Sequence, residues 1–251
     1  MRNKKAQLAI WVIISVVIVG GIILFLLVGR REIVPQVEEF QPQTFLGSCV
    51  QESVVEAVDK MLPQGGFLEP KNYKLYAGIK IEYLCYNGGN YLPCINHHPM
   101  LLNEIKSQIR NYTLPIVESC FESLKTELEK RNYEVEMGAL NISESLAPER
   151  VSIRLNKEVT LTKDAETRRF EKFDIDIASP IYDLASIAIE IASQEAEFCS
   201  FSTTGYSLMY PNFEISSVKT SDSSKIYIIK DRKFGKVMNI AIRGCAIPAG
   251  I

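Results

Sequence analysis

Phe173-Asp174-Ile175-Asp176-Ile177-Ala178-Ser179-Pro180-Ile181-Tyr182-Asp183-Leu184 is the stretch in which the spacing of apolar residues changes. Up to Ile177, apolar and polar side chains alternate, which on an extended chain puts Phe173, Ile175 and Ile177 on one face. From Ile181 the steps become three and four: Ile181, Leu184, Ala188, Ile191 and Glu195 line one side of a helix, and Ile187 and Phe198 widen the stripe. Ser179-Pro180 at the junction offers a capping hydroxyl and a proline in the first turn, where its missing N–H costs nothing. A one-sided strand running into an amphipathic helix predicts an α+β body in which helices cover one face of an antiparallel sheet.

Outward from this junction the same two periods recur. Tyr133-Glu134-Val135-Glu136-Met137 and Val151-Ser152-Ile153-Arg154-Leu155 alternate as strands of the same meander. Met100–Arg131 reads as a helix with Leu102, Ile105, Ile109 and Tyr112 on one stripe and Val117, Phe121, Leu124 and Leu128 on the next. Pro115 is expected to divide or kink it. Ser48-x-x-Gln51 is a capping box that opens a helix through Val50, Val54, Ala57, Val58 and Met61, and Pro63 and Gly65-Gly66 end it. Tyr73–Tyr86 and Tyr91–Cys94 read as strands around Asn87-Gly88-Gly89-Asn90, and Lys225–Lys230 with Lys236–Arg243 as a hairpin around Phe234-Gly235. About three amphipathic helices are expected on the sheet, within residues 48–251.

The N-terminal end is different in kind. Ala6 to Gly29 carries no charge, and Leu8–Val28 is almost wholly aliphatic. At 1.5 Å per residue such a run is long enough for a hydrocarbon core of roughly 30 Å, so residues 7–29 are expected to be a transmembrane helix. A cleaved secretory signal fits less well, because its apolar region is shorter and Arg30-Arg31 stands where a small-residue cleavage site belongs. Residues 30–47, rich in Pro, Gln and Glu, read as a tether. The chain has 251 residues, with 28 basic and 30 acidic groups. Five of the basic groups lie within the first 31 residues, before any acidic one, which leaves the remainder at 23 against 30. An acidic body gives no electrostatic footprint for nucleic acid.

All six cysteines, Cys49, Cys85, Cys94, Cys120, Cys199 and Cys245, follow the apolar run, and none is in C-x-x-C spacing. An even set without metal spacing reads as a disulfide framework, hence an exported body. If Gly89-Asn90 is a two-residue turn, Cys85 faces Cys94 across a non-hydrogen-bonded pair, although Pro93 then occupies a site that asks for a donor. The element placement suggests Cys49–Cys120 between helices and Cys199–Cys245 between helix and sheet, the alternative being free buried thiols. Asn111-Tyr112-Thr113 and Asn141-Ile142-Ser143 are glycan acceptor triplets, so Asn111 and Asn141 are candidate glycosylation sites. The charge bias across the span is small. The cysteines and triplets therefore set the expected orientation: N-terminus cytoplasmic, residues 30–251 extracellular, in a cell membrane.

The start Arg2-Asn3-Lys4-Lys5-Ala6-Gln7, running into the apolar helix, resembles the class III signal of archaeal type IV pilin-like proteins. The resemblance covers about the first 30 residues and implies a basic leader, residues 1–6, cut between Ala6 and Gln7. The whole plan is similar to single-pass ectodomain proteins of small-genome (DPANN-type) archaea. Pilins commonly carry Glu at the fifth mature position to register neighbouring helices, where this chain has Trp11, and Pro35 and Pro42 interrupt any long spine. Gly20-Gly21 permits close helix approach without forming G-x-x-x-G.

Chemistry is sparse. His97 and His98 are adjacent, so they point apart, and a solvated turn is the expectation rather than a metal site. Ser216-x-x-Lys219 matches S-x-x-K but follows a strand-like Phe213-Glu214-Ile215 instead of opening a helix. Asp174 and Asp176 share a strand face, which reads as the solvated side of a sheet. Arg168-Arg169 and Lys230–Lys233 read as solvated turns. Tyr73, Tyr76, Tyr83, Tyr86 and Tyr91 form a dense run suited to protein or glycan contact, or to packing on the sheet. No catalytic, cofactor or metal residue is assigned. The expected role is a membrane-anchored surface structural or binding protein with the bilayer and other copies or surface proteins as partners, against an extracytoplasmic hydrolase as the alternative.

Overall fold

The computed structural model of the chain describes residues 14–25 and 40–247, and divides it into two compact units, Met1–Gln41 and Pro42–Ile251. In the first unit, residues 14–25 are helical. Among the described residues no helix is long and apolar enough to cross a membrane. The expected transmembrane helix over 7–29 is corrected accordingly, and the single-pass location in a cell membrane with it. The leader cut at Ala6–Gln7 lies outside the described residues, as do residues 7–13 and 26–39 of the expected span and tether.

The second unit is α+β. Helix α1 (Pro42–Met61) starts six residues ahead of the capping box, with Pro42 in its first turn. Ser48 lies inside the helix and its Oγ donates to the Phe45 carbonyl, so it caps nothing. Leu46, Val50, Val54, Ala57, Val58 and Met61 form the buried stripe, and a 3₁₀ turn (Leu62–Gln64) ends at Gly65 with φ 83°. The run Tyr73–Tyr86 is two strands, β1 (Tyr73–Tyr76) and β2 (Ile79–Tyr86). They reverse at Ala77-Gly78, whose φ values of 49° and 82° belong to a two-residue hairpin turn.

After β3 (Ile95–Asn96) comes α2 (Leu101–Glu129), continuous through Pro115. Pro115 is exposed, so the carbonyl that loses its partner is on the solvent side, while Ile105, Ile109, Val117, Phe121, Leu124 and Leu128 are buried on both sides of it. The predicted division therefore does not occur. Strands β4 (Glu134–Met137), β5 (Asn141–Ala147), β6 (Arg150–Lys163) and β7 (Glu166–Ala178) form one antiparallel sheet. In it, β7 runs the length of β6 on one edge, and β4 and β5 lie end to end along the other. Its inner face carries Val151, Ile153, Leu155, Phe173, Ile175 and Ile177, all buried. Helix α1 packs on β7 and α2 on β5, and Phe121 meets Phe173 edge-on at 5.8 Å.

Helix α3 (Ile181–Phe198) and the short α4 (Thr203–Met209) lead to β8 (Phe213–Lys219), β9 (Lys225–Asp231) and β10 (Val237–Arg243). These join β1, β2 and β3 in a second sheet of order β1-β2-β10-β9-β8. The β2–β10 pair is parallel, a departure from the expected all-antiparallel sheet. Helix α3 touches β2, β9 and β10 of this sheet and β5 and β6 of the other, so one apolar helix joins the two cores.

Candidate functional site

The stripe that makes α3 amphipathic ends in a carboxylate. Glu195 is fully buried, and the Lys225 ammonium on β9 donates to both of its oxygens at 2.7 and 2.8 Å and to the Cys199 carbonyl at 2.8 Å. Tyr227, two residues along β9 on the same face, donates its hydroxyl to Glu195 Oε1. Burial, with the carboxylate beside it, pushes the Tyr227 phenol far above its usual range. Every donor of the ammonium is used, so the group is a closed polar tie between helix and sheet.

A second charged cluster surrounds His98. Its Nδ1 is 2.7 Å from Glu104 Oε2 in the first turn of α2, and its Nε2 is 3.6 Å from Glu82 Oε1 on β2. Glu82 is itself buried and accepts the Lys71 and Asn72 backbone N–H groups at 2.6 and 3.0 Å. Phe67 covers the imidazole at 4.7 Å between ring centroids. Burial opposes protonation of His98, but the two carboxylates outweigh it and raise its pKa. The expectation of a solvated turn is corrected for His98 and holds for exposed His97, which meets the edge of Tyr86. The available signal was a His one helical entry away from an acid, but Glu82 is distant in sequence.

The outer face of the β4–β7 sheet is polar. Arg154 pairs with Asp174 at 2.6 Å, Arg150 with Asp176 at 3.8 Å, and Ser152 donates to Asp176. With Ser143 and Ser145 these groups line a shallow groove of ≈ 460 Å³. Ser216 and Lys219 are exposed on β8, opposite Ile228 and Lys225, and are not joined to His97 or His98 by any described contact. Among the described residues no group of three or more His, Cys, Asp or Glu is placed to hold a metal. Of the tyrosine run, Tyr83 is buried, Tyr76 and Tyr86 are half-buried, and Tyr73 and Tyr91 are exposed.

All six cysteines are paired: Cys49–Cys120, Cys85–Cys94 and Cys199–Cys245, with Cα separations of 6.2, 5.4 and 5.9 Å. The second pair does not come from a tight turn. Cys85 faces Asn96 and Tyr86 faces Ile95, and residues 87–94 instead pair with the segment after β10 through Tyr91 N–H to Ala246 O and Cys245 N–H to Leu92 O. Pro93 has no N–H to give the expected ladder, which is why the register moves. Three bridges support an extracellular location, where thiols stay oxidised.

Among the described residues, one run of exposed apolar side chains is local in sequence. Ile14, Val16, Val17, Ile18, Val19, Ile22, Ile23, Leu24 and Phe25 are all exposed, Phe25 to 77%. In the other unit Phe198, Leu208 and Met209 stand out, Leu208 at 78%. Asn111 lies in mid-α2 and Asn141 opens β5, both exposed. Comparison with protein-family models, curated proteins and solved structures finds no match to this chain.

Proposed function

We propose that the protein is an exported, disulfide-stabilised surface component that works by assembly, its apolar N-terminal helix packing against the same helix of other copies as in a pilin-like subunit. The observation that carries this reading is the nine exposed large apolar residues within 14–25. A helix apolar all round is one that is buried rather than left in water. Covering four of them contributes ~6–12 kcal/mol per helix, so two helices supply ~12–24 kcal/mol against an association cost of roughly 4–15 kcal/mol. The disulfides fit a body that has to keep its shape outside the cell.

The test requires no membrane: analytical ultracentrifugation of the full chain in detergent-free buffer. Wild type is expected to associate with rising concentration, and the double variant Ile18→Asp, Ile22→Asp to weaken association on the order of 100-fold or more, because unpaired carboxylates cannot enter an apolar contact. A wild-type chain that stays monomeric at every concentration sinks the reading.

A further inference from the structure

The two acceptor triplets are equivalent as text and different as structure. An enzyme that glycosylates Asn-x-Ser/Thr has to engage the Asn amide and the hydroxyl two residues later together. On a strand, residues i and i+2 share a face about 7 Å apart. On an α-helix they are about 200° apart and face away from each other. Asn141 and Ser143 sit on β5, both exposed, on the solvent side of a strand whose Ile142 is buried. Asn111 and Thr113 sit inside α2, where Thr113 is fully buried and donates its hydroxyl to the Ile109 carbonyl at 2.9 Å.

We propose that Asn141 is a glycan acceptor in the folded protein and that Asn111 is not. The donor class is a polyprenyl-diphosphate-linked oligosaccharide. The Asn141 Nδ2 forms a bond to the sugar C1 as the C1–O bond breaks, the diphosphate leaves with the electron pair, and one amide proton passes to a base. The attached chain starts beside the polar groove that Ser143 and Ser145 share with Arg154 and Asp174. That groove supplies paired charges and hydroxyls suited to sugar hydroxyl groups.

The experiment treats the oxidised full chain, and a reduced and denatured sample, with an oligosaccharyltransferase and this lipid-linked donor, followed by intact mass and peptide mapping. The folded chain is expected to gain one glycan, at Asn141. The gain is lost in Asn141→Gln and Ser143→Ala and kept in Asn111→Gln, while the unfolded chain also accepts at Asn111. A folded chain bare at Asn141, or modified at Asn111, overturns the proposal. Because the reaction is run on purified protein, its failure is separate from failure of the assembly reading.

Discussion

His98 is held between two carboxylates on different elements, and its raised pKa ties stability to pH with a definite sign. The stabilisation is fully present below the unfolded-state value near 6.5 and is lost as pH rises through the higher folded-state value. His98→Gln is therefore expected to cost about 1–2 kcal/mol at pH 5.5 and much less at pH 9. Urea unfolding at the two pH values checks this, and an equal cost at both contradicts the ion-pair account. Glu195 behaves differently, because removing it leaves Lys225 and Tyr227 facing an apolar helix. Glu195→Ala should lower stability by about 3–5 kcal/mol, and a loss under 1 kcal/mol would mean that water replaces the carboxylate. Neither group was legible as a cluster. Glu195 stood on the apolar stripe and His98 two residues ahead of Met100, but their partners lie 30 and 16 residues away, and no local period reports such pairings.

At the scale of elements, the disulfides act on the unfolded chain by an entropy that grows with the logarithm of the loop each closes. The sequence separations are 71, 46 and 9 residues for Cys49–Cys120, Cys199–Cys245 and Cys85–Cys94. Loop-closure entropy then assigns about 4.4, 4.0 and 2.6 kcal/mol. Replacing each pair by alanine and comparing denaturant midpoints should give that order, with the α1–α2 staple costing most. A reversed order would show that native packing around Cys85–Cys94 outweighs chain entropy. Cys120 within one helix and Cys199 at the end of another were readable because helical periods are local, whereas Cys49, expected to begin a helix, lies inside α1. The break at Ala77-Gly78 and the displaced β3 were less so: a two-residue turn inside one apolar run and a proline that shifts register change direction without changing composition.

For the whole molecule, the order of the chain alternates between sheets. Strands β1 to β3 come first, the β4–β7 meander intervenes, and β8 to β10 return to complete the sheet that β1 to β3 began, with β10 parallel to β2. Helix α3 lies against both sheets, so the Lys225–Glu195 tie and the Cys199–Cys245 bridge both bear on the element that joins them. Residues 14–25 form a helix with nine exposed large apolar side chains, and the association experiment above belongs to this scale. Its reading as a membrane span followed from length and composition alone. Among the described residues no helix is long and apolar enough to cross a membrane, so the apolar character of the segment is what stands of that reading.

By itself the sequence determined the α+β class, the stripes of the three long helices, the alternating meander and an acidic body with a cysteine framework. These follow from residue spacing and composition, which act within a turn or a strand. Only the tertiary structure decided that β2 and β10 run parallel, that His98 and Glu195 carry buried charge contacts, and that one acceptor triplet is open on a strand while the other is closed in a helix. Each depends on which distant segments meet, and burial makes that choice for the whole chain at once rather than for any one window of it.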